Sequence, residues 1–129
     1  MSTDPASNNR RQEQLLVPIA AEDVAALGSD GEQLAALFAA ALHGLALLRT
    51  GRASAAELAA AIEGTTALLE RLEAVRDASL RQPAAKGISH SALAKAMHLE
   101  SRATAQSRRR TLLNRAVSDL ERWATGTTD

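Results

Sequence analysis

Two long helical patterns joined by a very short connection constrain the fold of this chain more than any other feature. Apolar residues recur at intervals of three and four over about residues 31–49, behind an N-cap at Asp30, and again over about residues 55–81. This spacing places the apolar side chains of each segment on one face of an α-helix. Because so few residues separate the two helices, they are predicted to fold back on each other as a hairpin.

The connection carries the signals that end one helix and begin the next. Gly51 provides a C-terminal stop for the first helix. Ser54 and Glu57 have the spacing of a capping box, in which each side chain satisfies the free backbone N–H of the other residue. Pro83 ends the second helix, and Gly64 near its middle is a weak helix former that favours a bend.

A two-helix hairpin of this composition cannot bury both of its apolar stripes alone. Hydrophobic residues make up 46% of the chain, but much of that is alanine and aromatic residues are only 2%, so a monomeric core would be thin. We therefore expect a homodimer in which two hairpins form a four-helix arrangement. The alternative is that the C-terminal helices close the core within one chain. The residues predicted to mediate dimerisation are Leu34, Leu37, Phe38, Leu42, Leu45, Leu58, Ile62, Leu69, Leu72 and Trp123.

Changes in composition divide the rest of the chain. Residues 1–14 are polar and aperiodic, which predicts a disordered tail. Residues 15–82 form the hairpin module, which begins with a short helix stopped by Gly28. The stretch "QPAAKG" is predicted to be a hinge, and residues 87–125 form a second module.

Charge is strongly divided along the chain, although the net charge is zero. Residues 1–80 carry six basic and eleven acidic side chains, whereas residues 81–115 carry eight basic side chains and one acidic side chain. Such asymmetry is expected where one module binds a polyanion and another does not. The alternative is an ordinary basic, solvated face on a helical bundle.

Two helices joined by a tight turn are predicted in the basic segment. Ser89 is an N-cap for the short helix "HSALAKAM", and "HLES" is a turn. Ser101 or Glu100 caps a third helix, which is predicted to run from about Arg102 to at least Trp123. The predicted fold is therefore all-α, with an N-terminal helical hairpin followed by a helix-turn-helix and a long C-terminal helix.

The stretch "GISHSALAKAMHLESRATAQSRR" resembles the helix-turn-helix of small actinobacterial DNA-binding proteins, with a match over about residues 76–112. The resemblance implies that Ala94 is the small residue where the two helices pack, that Leu99 fills the angle between them, and that Ala105 is the first inward residue of a recognition helix. His98 stands where the family usually has glycine. One extra residue follows the turn, which leaves the register of the recognition helix open by one position.

The side chains of this helix have the chemistry to bind the DNA major groove. Arginine can bind guanine as a fork, glutamine can pair with adenine, and hydroxyl or ammonium groups can bind phosphate oxygens. No acidic residue occurs from Ser101 through Ser118. We therefore predict that the basic helix 102–115 binds double-stranded DNA. The predicted DNA-binding residues are Ser89, Lys95, Ser101, Arg102, Ala103, Thr104, Gln106, Ser107, Arg108, Arg109, Arg110 and Arg115.

An apolar stripe continues beyond any recognition helix. It is expected either to pack on the long second helix of its own chain or to form a coiled-coil seam with a second protomer. Its members are Leu113, Ala116, Val117, Leu120, Trp123 and Ala124.

No other chemistry is indicated by the sequence. The chain has no cysteine, and its three histidines lack metal-site spacing. His43 is expected to be a partly buried core or interface residue. Neither a phosphate loop nor a catalytic set is recognisable, so we expect no enzyme activity, no cofactor, no metal and no small-molecule effector. No apolar run reaches the roughly 18 residues that span a membrane, and no signal segment is recognisable at the start. A cytoplasmic, nucleoid-associated location is expected, without a membrane partner.

The predicted function is that of a bacterial transcriptional regulator that binds DNA as a dimer. Two alternatives remain at this point. One is a protein–protein adaptor whose basic helix docks an acidic partner, and the other is a protein that organises nucleoid or mobile-element DNA.

Overall fold

A computed structural model describes residues 14–127, which form six α-helices and no strand. The all-α prediction is therefore confirmed. The helices are α1 (Ala21–Leu27), α2 (Ser29–Thr50), α3 (Ala55–Arg81), α4 (His90–Ala96), α5 (Arg102–Asn114) and α6 (Asp119–Thr125). The predicted disordered tail lies outside the described residues, apart from Gln14.

The described part of the chain forms two compact units, which divide between Ala35 and Ala36. In the first unit, α1 ends at Gly28, whose φ of +58° suits glycine, as the sequence predicted. Helix α2 begins at Ser29 rather than at residue 31, so Asp30 lies in the first turn instead of at the N-cap. Its negative charge still suits that end of the helix dipole. The second unit contains most of the predicted hairpin and all of the predicted DNA-binding module.

The turn of the hairpin follows its sequence signals. Ser54 Oγ accepts a hydrogen bond from the Glu57 N–H at 3.1 Å, and Glu57 Oε1 accepts one from the Ser54 N–H at 2.9 Å. The backbone hydrogen bond from Ser54 holds the pKa of the Glu57 carboxyl below its ordinary value. Gly51 adopts a φ of +68° at the end of α2. The predicted capping box and C-terminal stop are both confirmed.

Helices α2 and α3 pack antiparallel through small residues. A Cβ added to Gly44 would lie 2.9 Å from the Ala61 Cβ, and one added to Gly64 would lie 3.0 Å from the Ala40 Cβ. The two backbones therefore approach closely because a glycine on each helix meets an alanine on the other. Helix α3 runs without a break through Gly64, from Ala55 to Arg81.

The segment after α3 is ordered rather than a hinge. Residues Pro83–Gly87 form one 3-10 turn, and the Ala85 side chain within it is buried. Proline at the start of the turn has no backbone N–H to leave unpaired, which suits that position. The predicted hinge is replaced by a packed connection that leads from α3 into α4.

The C-terminal segment departs most from the prediction, because the long third helix is two helices. Helix α5 ends at Asn114, residues 115–118 are not helical, and α6 begins after Ser118. Ser118 and Glu121 form a second capping box, with hydrogen bonds of 3.1 Å in both directions. The continuous apolar spacing hid this start signal, which has the same form as the one at the hairpin turn.

Helix α6 packs along α3 of its own chain. Trp123 is half-buried there, and the guanidinium carbon of Arg71 lies 5.8 Å from the centroid of its ring, within the range of a cation–π contact. The part of the stripe that lies on α6, Leu120, Trp123 and Ala124, therefore takes the first of the two expected roles. Leu113 and Val117, in the earlier part, are exposed. No continuous helix is left to form the coiled-coil seam.

A buried carboxylate joins α6 to α3. Glu121 is 1% exposed and accepts a hydrogen bond from Arg81 Nε. Arg115 Nη2 lies 3.6 Å from Glu121 Oε2 and donates to Asp77 Oδ2 at 3.1 Å, while Arg81 Nη2 donates to the Arg115 carbonyl at 2.9 Å. Burial alone would raise the pKa of Glu121, but hydrogen bonds from the Ser118 backbone and from Arg81 hold it below its ordinary value. We call these four charged residues the Glu121 cluster.

Candidate nucleic-acid interface

The predicted helix-turn-helix is built on a three-helix core. Leu93 and Ala94 of α4 and Ala105 of α5 are buried, with Ala105 completely inaccessible to solvent. Leu99 packs against this cluster from the turn, and Leu80 packs against it from the last turn of α3. The structure thus brings together the three residues that the resemblance singled out. It adds Leu80, which sequence reasoning missed because the hairpin helix was treated as a separate module.

The turn between α4 and α5 contains a residue in an unusual conformation. His98 has a φ of +54° and is the one described non-glycine residue with a positive φ. Hydrogen bonds from the His98 N–H to the Lys95 carbonyl and from the Leu99 N–H to the Ala94 carbonyl, at 3.2 and 2.8 Å, close the end of α4 around it. Histidine is therefore held here in the left-handed region that glycine favours.

Both predicted N-caps of this region are present. Ser89 Oγ accepts from the Ala92 N–H at 3.1 Å, and Ser101 Oγ accepts from the Thr104 N–H at 3.2 Å. Ser101 Oγ also lies 3.0 Å from Thr104 Oγ1. These caps fix where α4 and α5 begin and leave the next turn of each helix regular.

The burial pattern of α5 fixes the register that the sequence left open. Ala105 and Leu112 are buried and Arg109 is half-buried, a spacing of four and three that defines the inward face. The remaining predicted DNA-binding residues of α5 are exposed, namely Arg102, Ala103, Thr104, Gln106, Ser107, Arg108 and Arg110, as are Ser89, Lys95, Ser101 and Arg115 outside it.

Two of the predicted DNA-binding arginines are engaged with the protein itself. Arg109 Nη2 donates to the Ile88 carbonyl at 3.1 Å, and its Nε is buried. Arg115 belongs to the Glu121 cluster. The sequence gives no sign of either contact, because Arg115 and Asp77 are 38 positions apart and the five arginines of this segment cannot be told apart by type or spacing. We assign both side chains to holding the interface in shape.

The exposed arginines of α5 have different electrostatic surroundings. Arg102, Arg108 and Arg110 form no ion pair with any residue in the range 14–127. Arg108 lines a groove that also contains Glu73 and Asp77 of α3. Arg110 instead lines a depression with no acidic side chain. The two arginines are similar in exposure, but only Arg110 has a surrounding that is free of negative charge.

The acid-free depression beside Arg110 adds residues that the sequence interpretation missed. Its lining side chains are His90, Gln106, Arg109, Arg110, Leu113 and Asn114. Asn114 lies four residues after Arg110 and eight after Gln106, so helical spacing could have identified it. The depression therefore combines an exposed arginine with two side-chain amides, the groups that pair with base edges.

His43 lies on α2, outside the predicted DNA-binding module. His43 is exposed, so the expectation that it is partly buried in the core of its own chain is wrong. Between residues 14 and 127, no group of three His, Asp or Glu side chains comes together where a metal ion could bind.

Comparison with known proteins gives no relative for this chain. No protein-family model, no curated protein and no solved structure matches it. Its function is therefore inferred from the geometry and charge of its own residues.

Proposed function

We propose that this protein binds double-stranded DNA by inserting the outer face of α5 into the major groove. The observation that supports this most is the uncompensated positive charge of that face. Arg102 and Arg110 are exposed, have no ion-pair partner within residues 14–127, and stand on a helix segment without acidic residues from Ser101 through Ser118. Such a surface attracts a polyanion and is expensive to cover with anything uncharged.

The proposed mechanism assigns base contacts and backbone contacts to different side chains. Gln106 and Arg110 lie on the same side of α5, where a glutamine and an arginine can form paired hydrogen bonds to adenine and guanine edges. Lys95, near the end of α4, and Arg102, in the first turn of α5, are suited to phosphate oxygens on either side of the groove. The side-chain amides of Gln106 and Asn114 support DNA as the partner, because an amide can donate a hydrogen bond to an adenine edge and accept one from it at the same time.

The test compares two arginines of the same helix whose surroundings differ. Fluorescence anisotropy with a labelled duplex of mixed sequence would measure the dissociation constant at several salt concentrations between about 50 and 200 mM. We expect the logarithm of the affinity to fall linearly with the logarithm of salt concentration. Arg110→Ala is expected to weaken binding about tenfold or more, as loss of a base or phosphate contact does. The matched control, Arg108→Ala, is expected to weaken it less, because the carboxylates of Glu73 and Asp77 line the same groove, with Arg76 and Arg115, and lower the positive potential around Arg108.

Two results would overturn the proposal. The first is no binding by the wild-type protein at the lowest salt concentration. The second is equal effects of the two substitutions in proteins whose circular dichroism is unchanged. If DNA binding is observed, the role in transcription is tested next by selecting preferred sequences from a random duplex pool. A transcriptional regulator should enrich a specific site, whereas a DNA-organising protein should not.

A further inference from the structure

The hairpin has one large apolar face that no described part of the chain covers. It consists of eight side chains that are between 37% and 67% exposed: Phe38, Leu42, Leu45 and Leu48 of α2, and Leu58, Ile62, Leu69 and Leu72 of α3. We infer that a second copy of this chain packs on this surface, which we call the hairpin face, and that the protein is a dimer joined hairpin to hairpin.

The apolar residues of the two helices share one side of the hairpin. Leu45 and Leu48 of α2 line the same groove as Leu58 and Ile62 of α3, with Gly44 among the residues between them. The close approach of α2 and α3 at their small residues keeps this groove narrow. The two stripes therefore meet in one groove at this end of the hairpin.

The spacing of the face matches helical partners. On α3, positions 58, 62, 65, 69 and 72 alternate intervals of four and three, and on α2 positions 38, 42 and 45 do the same. This heptad spacing is the one by which helices pack side by side at a small crossing angle. The partner that fits is therefore a surface of helices with the same spacing, and the hairpin face of a second copy provides one.

The size of the face also fits a dimer interface. Two helices packed side by side are about 20 Å wide, and the stripe on α3 from Leu58 to Leu72 is about 20 Å long. Monomeric proteins rarely expose an apolar patch of more than about 300–600 Å². The flat projection of the hairpin face is therefore about 400 Å². Because side chains make the surface uneven, its accessible area is larger and approaches the roughly 800 Å² that each partner contributes to a standard interface.

A membrane is the other surface that could cover this face, because α2 is long and apolar enough to cross one by length and composition. The length and composition of α2 contradict the expectation from the sequence that no segment could span a membrane. However, its Gly44 and Ala40 pack against Ala61 and Gly64 of α3, and α3 carries eight charged side chains. Insertion of α2 would have to separate it from α3 or carry those charges into lipid, which is costly. Pairing of two hairpin faces leaves α2 packed on α3 and keeps the charged side chains of α3 out of lipid.

Dimerisation through the hairpin face does not depend on DNA binding. An experiment can therefore refute the dimer and leave the proposed DNA binding intact. Sedimentation equilibrium of the full chain without DNA would measure its mass between about 1 and 100 µM. We expect a species of twice the 13.6 kDa chain mass. Ile62→Glu and Leu45→Glu should each raise the dimer dissociation constant about 100-fold or more, since each buries an unpaired carboxylate in the interface. Val117→Glu, at an exposed apolar residue outside the hairpin face, is the matched control and should leave the mass unchanged.

Thiol labelling tests the same interface with a smaller substitution, which is less disruptive to folding than a buried glutamate. Because the chain has no cysteine, a single Ile62→Cys variant reports on this face alone. Its reaction with a maleimide should slow as protein concentration rises, whereas that of Val117→Cys should not. A wild-type monomer at 100 µM, or an Ile62 thiol whose reactivity is independent of concentration, would overturn the inference. Co-sedimentation of a monomer with phosphatidylcholine–phosphatidylglycerol vesicles would overturn it in favour of a membrane.

Discussion

Replacing Glu121 with alanine is expected to destabilise the protein strongly. The side chains of Glu121 and Arg81 are 1% and 16% exposed, so the substitution leaves a largely buried guanidinium without its carboxylate. Removing one member of a buried ion pair costs about 3–5 kcal/mol, and loss of the N-cap partner of Ser118 adds to this cost. We therefore expect the free energy of unfolding to fall by about 3–5 kcal/mol.

The control for this change lies on the same helix. Asp119 is fully exposed and lies 3.7 Å from Arg122 Nη2, a surface ion pair of the kind that contributes about 0.2–1 kcal/mol. Urea unfolding followed by circular dichroism, at one fixed protein concentration, would compare Glu121→Ala with Asp119→Ala. Equal losses of stability in the two variants would show that the Glu121 cluster does not hold α6 to α3.

The same variant gives a pH dependence with a definite sign. The folded-state pKa of Glu121 is lowered, so the unfolded chain binds this proton more readily, with an ordinary pKa of about 4.3. The stability that Glu121 contributes is thus present above that pH and is lost as pH falls through the folded pKa. The difference between wild type and Glu121→Ala should shrink as the pH falls from about 7 to below 4. A difference that is constant over this range would contradict the assignment.

Two further predictions concern backbone geometry and can be measured by the same urea titration. Gly44→Ala should lower the free energy of unfolding by about 1–3 kcal/mol, because the added Cβ would lie 2.9 Å from the Ala61 Cβ. Gly87→Ala, whose added Cβ would have no atom within 4 Å, should change it by less than about 1 kcal/mol. Similar effects at the two glycines would refute the close crossing of α2 and α3. His98→Gly should stabilise the protein by about 0.5–1 kcal/mol, since glycine adopts the φ of +54° without the strain of a side chain. A loss of stability there would mean that the imidazole makes a contact that outweighs the strain.

The features that could be predicted from the sequence are those set by neighbouring residues. The capping pair Ser54 and Glu57, the stop at Gly51 and the caps Ser89 and Ser101 each depend on residues within one helical turn. The apolar periodicity of α2 and α3 was equally local, which is why the hairpin could be derived before its contacts were known.

The features that could not be predicted depend on residues distant in sequence. The role of Arg115 requires Asp77 and Glu121, which α3 and α6 bring together only in the folded chain. The inward position of Arg109 depends on the Ile88 carbonyl, 21 positions earlier. The break after Asn114 was local and could have been found, since Ser118 and Glu121 repeat the capping pattern used at the hairpin. The apolar spacing continues through residues 115–118 and obscures this capping pair.

The continuity of α3 turns it into a rigid spacer between two surfaces. The helix carries the hairpin face near Ile62 and ends at Leu80, which belongs to the core beneath α5. Eighteen residues at 1.5 Å each set this separation at about 27 Å, and each residue also sets a rotation of about 100°. One residue inserted between these points would rotate the proposed DNA-binding surface around the helix axis while barely lengthening the spacer. In a dimer joined at the hairpin face, the length of α3 would therefore set both the distance between two DNA half-sites and the side of the double helix on which they are read.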